Sequence, residues 1–380
     1  MAEIYRLCNK IKHYKWGSDY LIPRFLGIEN DTGEPYAEMW MGTHKSAPSR
    51  VKTSDELKEL TDISGELPFL FKLIAIEKPL SIQAHPDRKQ AFLGFRKEEE
   101  SMLSVNDPAR NYKDLNHKME IICAIEPITL MAGFMEPCKI LKSFEELVSL
   151  CPLLNEIITP LISVLKNGSI SGFFNILFNI SGTEMESLCS FIREKDENIK
   201  GSFILNEQWK LIKKFSDLYP NDPAILSPLF INLINLKPGQ AVYIPSGVLH
   251  AYISGFGVEV MTSSDNVLRG GLTAKHIDTG ELMNILQFIP FYPDIITPSS
   301  AQKCFFYNTP CKEFLFAYMR GSQVFEGSGP AICLVTEGEL EINSFVFKKG
   351  ESFFIPENSS PFTFTGDFSL YAVLKNAGKK

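Results

Sequence analysis

Apolar residues concentrate early in the chain, in Leu67-Pro68-Phe69-Leu70-Phe71-Lys72-Leu73-Ile74-Ala75-Ile76. That length and composition predict a buried strand. Ser81-Ile82-Gln83-Ala84-His85-Pro86-Asp87 follows. If this stretch is extended, period-two alternation puts Gln83 and His85 on one face, and Pro86 ends the ladder. The pattern then changes. Asp87 to Phe95 reads as a short helix with a polar start, and Arg96-Lys97-Glu98-Glu99-Glu100 as a solvated charge cluster. A second apolar run, Ile121 to Ile125, has polar residues at its mouth, Asn111 to Glu120, where binding groups tend to collect.

Between about Cys138 and Phe230 the period becomes helical, as in Phe144, Leu147 and Val148, or Trp209, Ile212 and Phe215. Pro152, Pro160, Gly168 and Gly182 divide this region, which contains no histidine. It reads as an all-helical insertion that shapes or covers a site built elsewhere. Strand signals return at 231–236, then a turn at 237–240, then strands across 241–252 and 257–261. Residues 301–380 alternate strands and turns. Residues 237–245 and 348–356 match position for position as a turn, a strand and a proline, which predicts two related β-sandwiches or barrels. Carried forward, the match sets His250 opposite Pro361. The second copy lacks the imidazole, so the chemistry is expected in the first.

The chain has 380 residues, enough for two or three domains. The expected division is 1–137 and 231–300 as two parts of one catalytic domain, 138–230 as the helical insertion, and 301–380 as a C-terminal domain without a metal site. With 38 Lys plus Arg against 45 Asp plus Glu, the formal charge is −7. That balance argues against a broad nucleic-acid or anionic-membrane surface. No apolar run is long enough to span a membrane, and Met1-Ala2-Glu3-Ile4-Tyr5-Arg6 lacks the core of a secretory signal. The eight cysteines form no C-x-x-C pair and read as reduced thiols of a cytoplasmic protein. No Gly-rich phosphate loop or G-x-S-x-G motif is present. Imidazole plus amide oxygen, as in Gln83 and His85, makes half a site for zinc or a similar ion; the competing reading is a hydrogen-bonded strand-end histidine. Trp16 and Trp40 read as core or as sugar-stacking residues, with core favoured.

Five phrases resemble type I phosphomannose isomerase, a zinc enzyme of the cupin class, and occur in the family's order. They are Tyr36-Ala37-Glu38-Met39-Trp40-Met41-Gly42-Thr43-His44, Gln83-Ala84-His85-Pro86-Asp87, Asn111-Tyr112-Lys113-Asp114 with Asn116-His117-Lys118-Met119-Glu120, His250-Ala251-Tyr252, and Ser264-Asp265-Asn266-Val267-Leu268-Arg269-Gly270-Gly271-Leu272-Thr273. The resemblance implies a mainly β fold, with two cupin-type β-sandwich or jelly-roll barrels plus a helical domain. It implies one zinc ion per chain, held by Gln83, His85, Glu120 and His250, with Arg269 as the essential arginine. Met119, Leu249 and Ala274 stand where the family usually has proline.

The implied reaction interconverts mannose 6-phosphate and fructose 6-phosphate through an enediol, serving mannose metabolism, GDP-mannose synthesis or glycolysis. Two neutral imidazoles, an amide and a carboxylate would leave a zinc site net positive by one. Arg269 suits electrostatic support of the reacting oxygens or proton handling, although a free guanidinium cannot act as a base; the alternative is a salt bridge with Asp265. Glu259 is a candidate base. Ser81, Lys118, Asp265, Lys275 and Trp16 are candidate substrate contacts. His117 falls on the opposite face from Glu120 and is not expected as a ligand. The expected partner is a small sugar phosphate, with no nucleic acid or membrane, and the chain as monomer or weak homo-oligomer. Two other readings stand beside this one: a non-haem iron cupin oxygenase, for which Gln83 would occupy a position wanted for oxygen, and a non-catalytic sugar-binding cupin.

Overall fold

The structure is a computed structural model that describes residues 4–53, 56–195, 203–299, 301–327, 329–357, 359 and 361–376. It is mainly β, with two 11-stranded antiparallel sheets and a set of helices to one side. Among the described residues, no helix is long and apolar enough to cross a membrane.

The first sheet is organised by one 13-residue strand, His250–Thr262. Its second half pairs with Phe69–Ile76 on one side and Glu120–Ala124 on the other. Its first half pairs with Ile128–Phe134 and, through His250, with Gln83. Two separate strands were expected here. A single strand turns the corner instead, with its register broken between Tyr252 and Ser254. Gly255 permits the bend: its φ is 126°, and a Cβ there would lie 2.3 Å from the carbonyl oxygen of Pro127.

Alternation decides what each strand shows to each side. In Phe69–Ile76, the side chains of Phe69, Phe71, Leu73 and Ala75 enter the apolar layer between the two sheets. Leu70, Ile74 and Ile76 face the inside of the first sandwich. Ile121 and Cys123 likewise join the intersheet layer, and Ile122 and Ala124 the interior. The intersheet layer also takes Phe316, Ile332, Leu334, Phe354 and Val373 from the second sheet.

The second sheet sets Cys304–Tyr307, Phe314–Arg320, Phe368–Lys375, Ala331–Ile342 and Ser352–Ile355 side by side. Beyond them come Tyr5–Cys8, Arg50–Lys52 and Leu57–Glu59. The N-terminal strand thus pairs with the C-terminal sheet, Tyr5 opposite Phe354 and Arg6 opposite Phe353, although 1–137 was expected to stay with the first sandwich. Apolar packing and charge fix it there. Ile4 joins the second sandwich's core, Leu7 joins the intersheet layer, and Arg6 ion-pairs with Glu351.

The helices Pro137–Leu150, Asn155–Lys166, Ile170–Leu177, Gly182–Glu194 and Phe203–Leu218 lead into a 3-10 segment, Pro223–Leu229. Their apolar faces form one core that reaches Phe134, Ile231 and Ala251 of the first sheet. Pro160 does not divide this region as expected. It lies inside Asn155–Lys166, where burial of Ile158, Leu161 and Leu165 carries the helix past the lost backbone bond.

Residues 96–100 also differ from expectation. The helix Arg88–Glu100, capped by Asp87 and Gln90, runs through them. Glu98 and Glu99 bind the buried Arg110 guanidinium, and Glu98 also accepts the amides of Asn111 and Tyr112. The cluster is therefore a clamp on the segment that leads to Glu120, and not a merely solvated face.

The repeated phrase is repeated in structure. In one copy the Gln240 amide donates to Lys237 O and the Gln240 side chain accepts from the Lys237 amide, both at 2.9 Å. In the other, Glu351 and Lys348 make the same pair at 2.9 and 2.7 Å. Gly239 and Gly350 adopt φ of 83° and 88°, which costs a side-chain-bearing residue about 1 kcal/mol or more. A Cβ on Gly350 would also meet Leu26 Cα at 3.2 Å, whereas one on Gly239 meets only Pro298 Cγ at 3.5 Å. Gly350→Ala should therefore lower stability by about 2 kcal/mol and Gly239→Ala by about 1 kcal/mol, an order that chemical denaturation of the two variants can check.

Candidate metal centre

The interior face of the first sandwich is apolar at one end and polar at the other. Strand alternation places Lys72, Glu120, Glu259, His250 and Tyr252 on this face, and Glu38 and Trp40 from Glu38–Gly42 join them. Gln83 stands opposite His250 across the ladder. All of these except the fully buried His250 line a cleft of about 230 Å³.

At its inner end three side chains converge. His85 is 1% exposed, Glu120 1% and His250 0%, and their ligating atoms all lie within 4.8 Å of one another. His85 Nε2 is 3.3 Å from Glu120 Oε1, and His250 Nε2 is 3.2 Å from Glu120 Oε2. Each imidazole is oriented by a backbone carbonyl: Nδ1 of His85 lies 2.8 Å from Asn266 O, and Nδ1 of His250 2.9 Å from Val248 O. A carbonyl accepts only from a protonated Nδ1, so in the neutral ring Nε2 keeps its lone pair and aims it inward. Asn266 is itself locked, its amide nitrogen donating to Asp114 O and Asn116 O and its oxygen accepting from the Lys113 amide.

Burial and Lys118 push the His85 imidazole down to about 4, so it stays neutral at ordinary pH. Burial would raise Glu120, but the Lys118 ammonium outweighs it and holds that carboxyl well below its usual range. Lys118 Nζ lies 2.7 Å from Glu120 Oε1. A chain of buried polar groups continues from there. Tyr252 donates to Glu259 Oε1 at 2.9 Å and approaches Glu120 Oε2 at 3.4 Å. Lys72 Nζ sits 2.8 Å from Glu259 and 3.4 Å from Glu38, and Trp40 Nε1 donates to Glu38 at 2.7 Å. Burial raises Glu259 despite the neighbouring Lys72 ammonium.

Arg269 lies on the cleft wall, paired across the ladder with Gln83. Its guanidinium has no hydrogen-bond or ion-pair partner among the described residues, and burial lowers its pKa. The salt bridge weighed for it is not formed. Asp265 instead pairs with His44, 3.2 Å away. Ser81, Lys275 and Trp16 do not reach the inner cleft. They line an adjoining outer cleft of about 480 Å³, which shares Tyr14, Leu80, Gln83, Val267 and Arg269 with the inner one. His117 turns away and binds Glu313 at 2.8 Å.

Lys72, Glu38 and Tyr252 received no role from the sequence. The signal for Lys72 was present: a lone ammonium in an otherwise apolar strand requires buried partners. Glu38 and Tyr252 become legible only once the inner face is known.

Over 394 aligned residues the chain is 32% identical to the mannose-6-phosphate isomerase of Escherichia coli strain K12, across 97% of this chain and 98% of that protein. The chain belongs to the mannose-6-phosphate isomerase family. Residues 4–136 match the catalytic domain of phosphomannose isomerase type I. Another member of the family, mannose-6-phosphate isomerase 2 of Arabidopsis thaliana, is 31% identical across 93% of this chain and 89% of its own length. A crystal structure of zinc-bound mannose 6-phosphate isomerase superposes with a TM-score of 0.89 at 31% identity, covering 99% of this chain and 100% of that one.

The donor set of this chain fits such an ion. Ligands about 2.0–2.2 Å from a tetrahedral zinc stand roughly 3.3–3.6 Å apart, and the 3.2 and 3.3 Å separations between Glu120 and the two Nε2 atoms are close to that span. His85, Glu120 and His250 can therefore hold one metal ion.

In the metal-free protein, His85 takes up a proton only at about 4, against 6.5 for an exposed histidine. The unfolded chain binds that proton first, so stability falls as pH drops through this window, by about 1.4 kcal/mol per unit at most. Calorimetry of the metal-free protein should show this slope, and His85→Gln should flatten it.

Proposed function

We propose that this chain is a zinc-dependent aldose–ketose isomerase that interconverts mannose 6-phosphate and fructose 6-phosphate. The observation that carries the reading is the convergence of two inward-facing Nε2 atoms and the Glu120 carboxylate at the end of a cleft walled by an unpaired guanidinium. Family membership supplies the substrate.

In this reading Gln83, His85, Glu120 and His250 hold the ion. Bound there, zinc supplies a Lewis acid that stabilises negative charge developing on substrate oxygen. The chain's own residues do the rest. The inner cleft is lined by four carboxylates (Glu38, Glu120, Glu259, Asp265) and four cationic side chains (Lys72, Lys113, Lys118, Arg269). Charge there is balanced before the ion enters, so the loaded cleft is positive and draws in an anionic sugar phosphate. Arg269 presents its charge to the oxygens on which negative charge grows as a proton leaves the carbon beside the carbonyl. Glu259, raised by burial and held between Lys72 and Tyr252, is the carboxylate assigned to take that proton and return it to the neighbouring carbon. Lys118 and Asp265 meet sugar hydroxyls. Lys275 and Ser81 meet the phosphate in the outer cleft, and Trp16, stacked on Tyr14 at 5.7 Å, faces the sugar there.

The proposed domain division remains 1–137 with 231–300, 138–230, and 301–380, with the strand Tyr5–Cys8 paired into the last. A cytoplasmic location is proposed on the eight cysteines, all free thiols.

Chelation should abolish mannose 6-phosphate conversion and zinc should restore it, followed in a coupled assay; His250→Ala should lose both zinc and turnover. A metal-free His250→Ala protein with full activity would sink the reading, and iron with oxygen uptake would favour the oxygenase. Arg269→Ala should retain zinc and lower kcat by at least about 100-fold, the scale of removing one electrostatic contact to a transition state. Wild-type turnover in that variant would remove Arg269 from the chemistry.

A further inference from the structure

The loop after Arg269 is held from outside the sandwich, by the helical region. Gly271 has φ of 120° and Leu272 φ of 51°. A branched, non-glycine residue in the left-handed region persists only where its surroundings fix it. Asp222 supplies that constraint. It lies beyond the helix Phe203–Leu218 and caps the segment Pro223–Leu229. Its Oδ2 accepts the Leu272 amide at 2.6 Å, its Oδ1 accepts the Ala224 amide at 2.9 Å, and the Thr273 amide also bonds it.

The fit is close. A Cβ on Gly271 would stand 2.1 Å from Ala224 Cβ and 3.0 Å from Asp222 Oδ1. On the other side, Gly271 O accepts from Ile82 at 2.9 Å and the Gly270 amide donates to Ile82 O at 2.8 Å. The turn is thus pinned between Asp222 and the segment that bears Gln83. The same helix end grips the opposite lip of the outer cleft, where Tyr219 donates to Pro79 O at 3.2 Å.

Arg269 and Lys275 flank this turn, and both line the outer cleft. They depend on it unequally. Arg269 is also fixed by its ladder partner Gln83, whereas Lys275 lies outside the strands and follows the turn alone.

We propose that Asp222 is a positioning residue for the sugar-phosphate site: by accepting the amides of the left-handed turn it sets where Lys275 stands, and to a lesser degree Arg269. The inference rests on the isomerase reading given above. It predicts a particular kinetic split. In Asp222→Ala, KM for mannose 6-phosphate rises about tenfold or more while kcat stays within about threefold, the pattern expected when binding shared by ground and transition states is lost. Zinc content per chain is unchanged. Asp222→Asn, which keeps one acceptor and turns an NH2 group toward an amide, gives an intermediate KM.

A purely structural Asp222 would lower the melting temperature and leave KM alone. Folded variants with wild-type KM, or with kcat reduced at constant KM, overturn the proposal. If Asp222→Ala does not fold, Asp222→Asn decides by the same criteria. Hydrogen exchange of the Leu272 and Thr273 amides provides a readout independent of turnover. Exchange should accelerate in Asp222→Asn, and unchanged protection overturns the clamp. Should the wild-type protein prove inactive while this exchange effect is present, the isomerase reading fails and the clamp stands.

Discussion

The Glu120 carboxylate, shared between two imidazoles, is the contact on which the rest of the site depends. It is available only because three strands agree in register. Glu120 opens its strand opposite Met261, His250 begins the long strand that turns the corner, and Gln83 lies across from His250. A one-residue slip in any of them would turn its polar side chain out of the interior. The carbonyls of Asn266 and Val248 then choose the tautomer of each histidine, so the backbone, and not the side chains alone, decides which nitrogen faces inward.

Burying so many ionic groups requires that each have its counter-charge. Lys72 sits between Glu38 and Glu259, Tyr252 joins Glu259 to Glu120, and Lys118 stands at Glu120. Removing one member would leave another buried and uncompensated, which is the costly way to break such a network. Arg269 is the exception, a half-buried guanidinium without a partner among the described residues. Its desolvation is offset by no protein anion, which fits a role toward an anion that arrives from outside.

Much of this was legible before any coordinates. Period-two alternation singled out Gln83 and His85 as a pair, and the repeated phrase at 237–245 and 348–356 foretold the matching turns. The helical region announced itself through its spacing. What escaped the sequence was mostly non-local. Lys72 has partners on strands far from it in the chain, and nothing near position 72 names them. The continuous strand through Gly255 looked like two because glycine there interrupts the apolar pattern while serving the bend. The charge cluster at 96–100 looked solvated because the buried partner of Glu98 and Glu99, Arg110, lies beyond the next turn. The resemblance to a known family brought Glu120 and Arg269 forward, which periodicity alone did not.

The placement of Tyr5–Cys8 bears on the order in which the chain can be completed. Synthesis delivers that strand long before its partner Ser352–Ile355. Until then, the edge of Tyr5–Cys8 that faces this partner must wait unpaired. Closing the second sandwich therefore joins segments far apart in sequence, a pairing of high contact order. Removing Ser352–Ile355 therefore exposes one edge of Tyr5–Cys8.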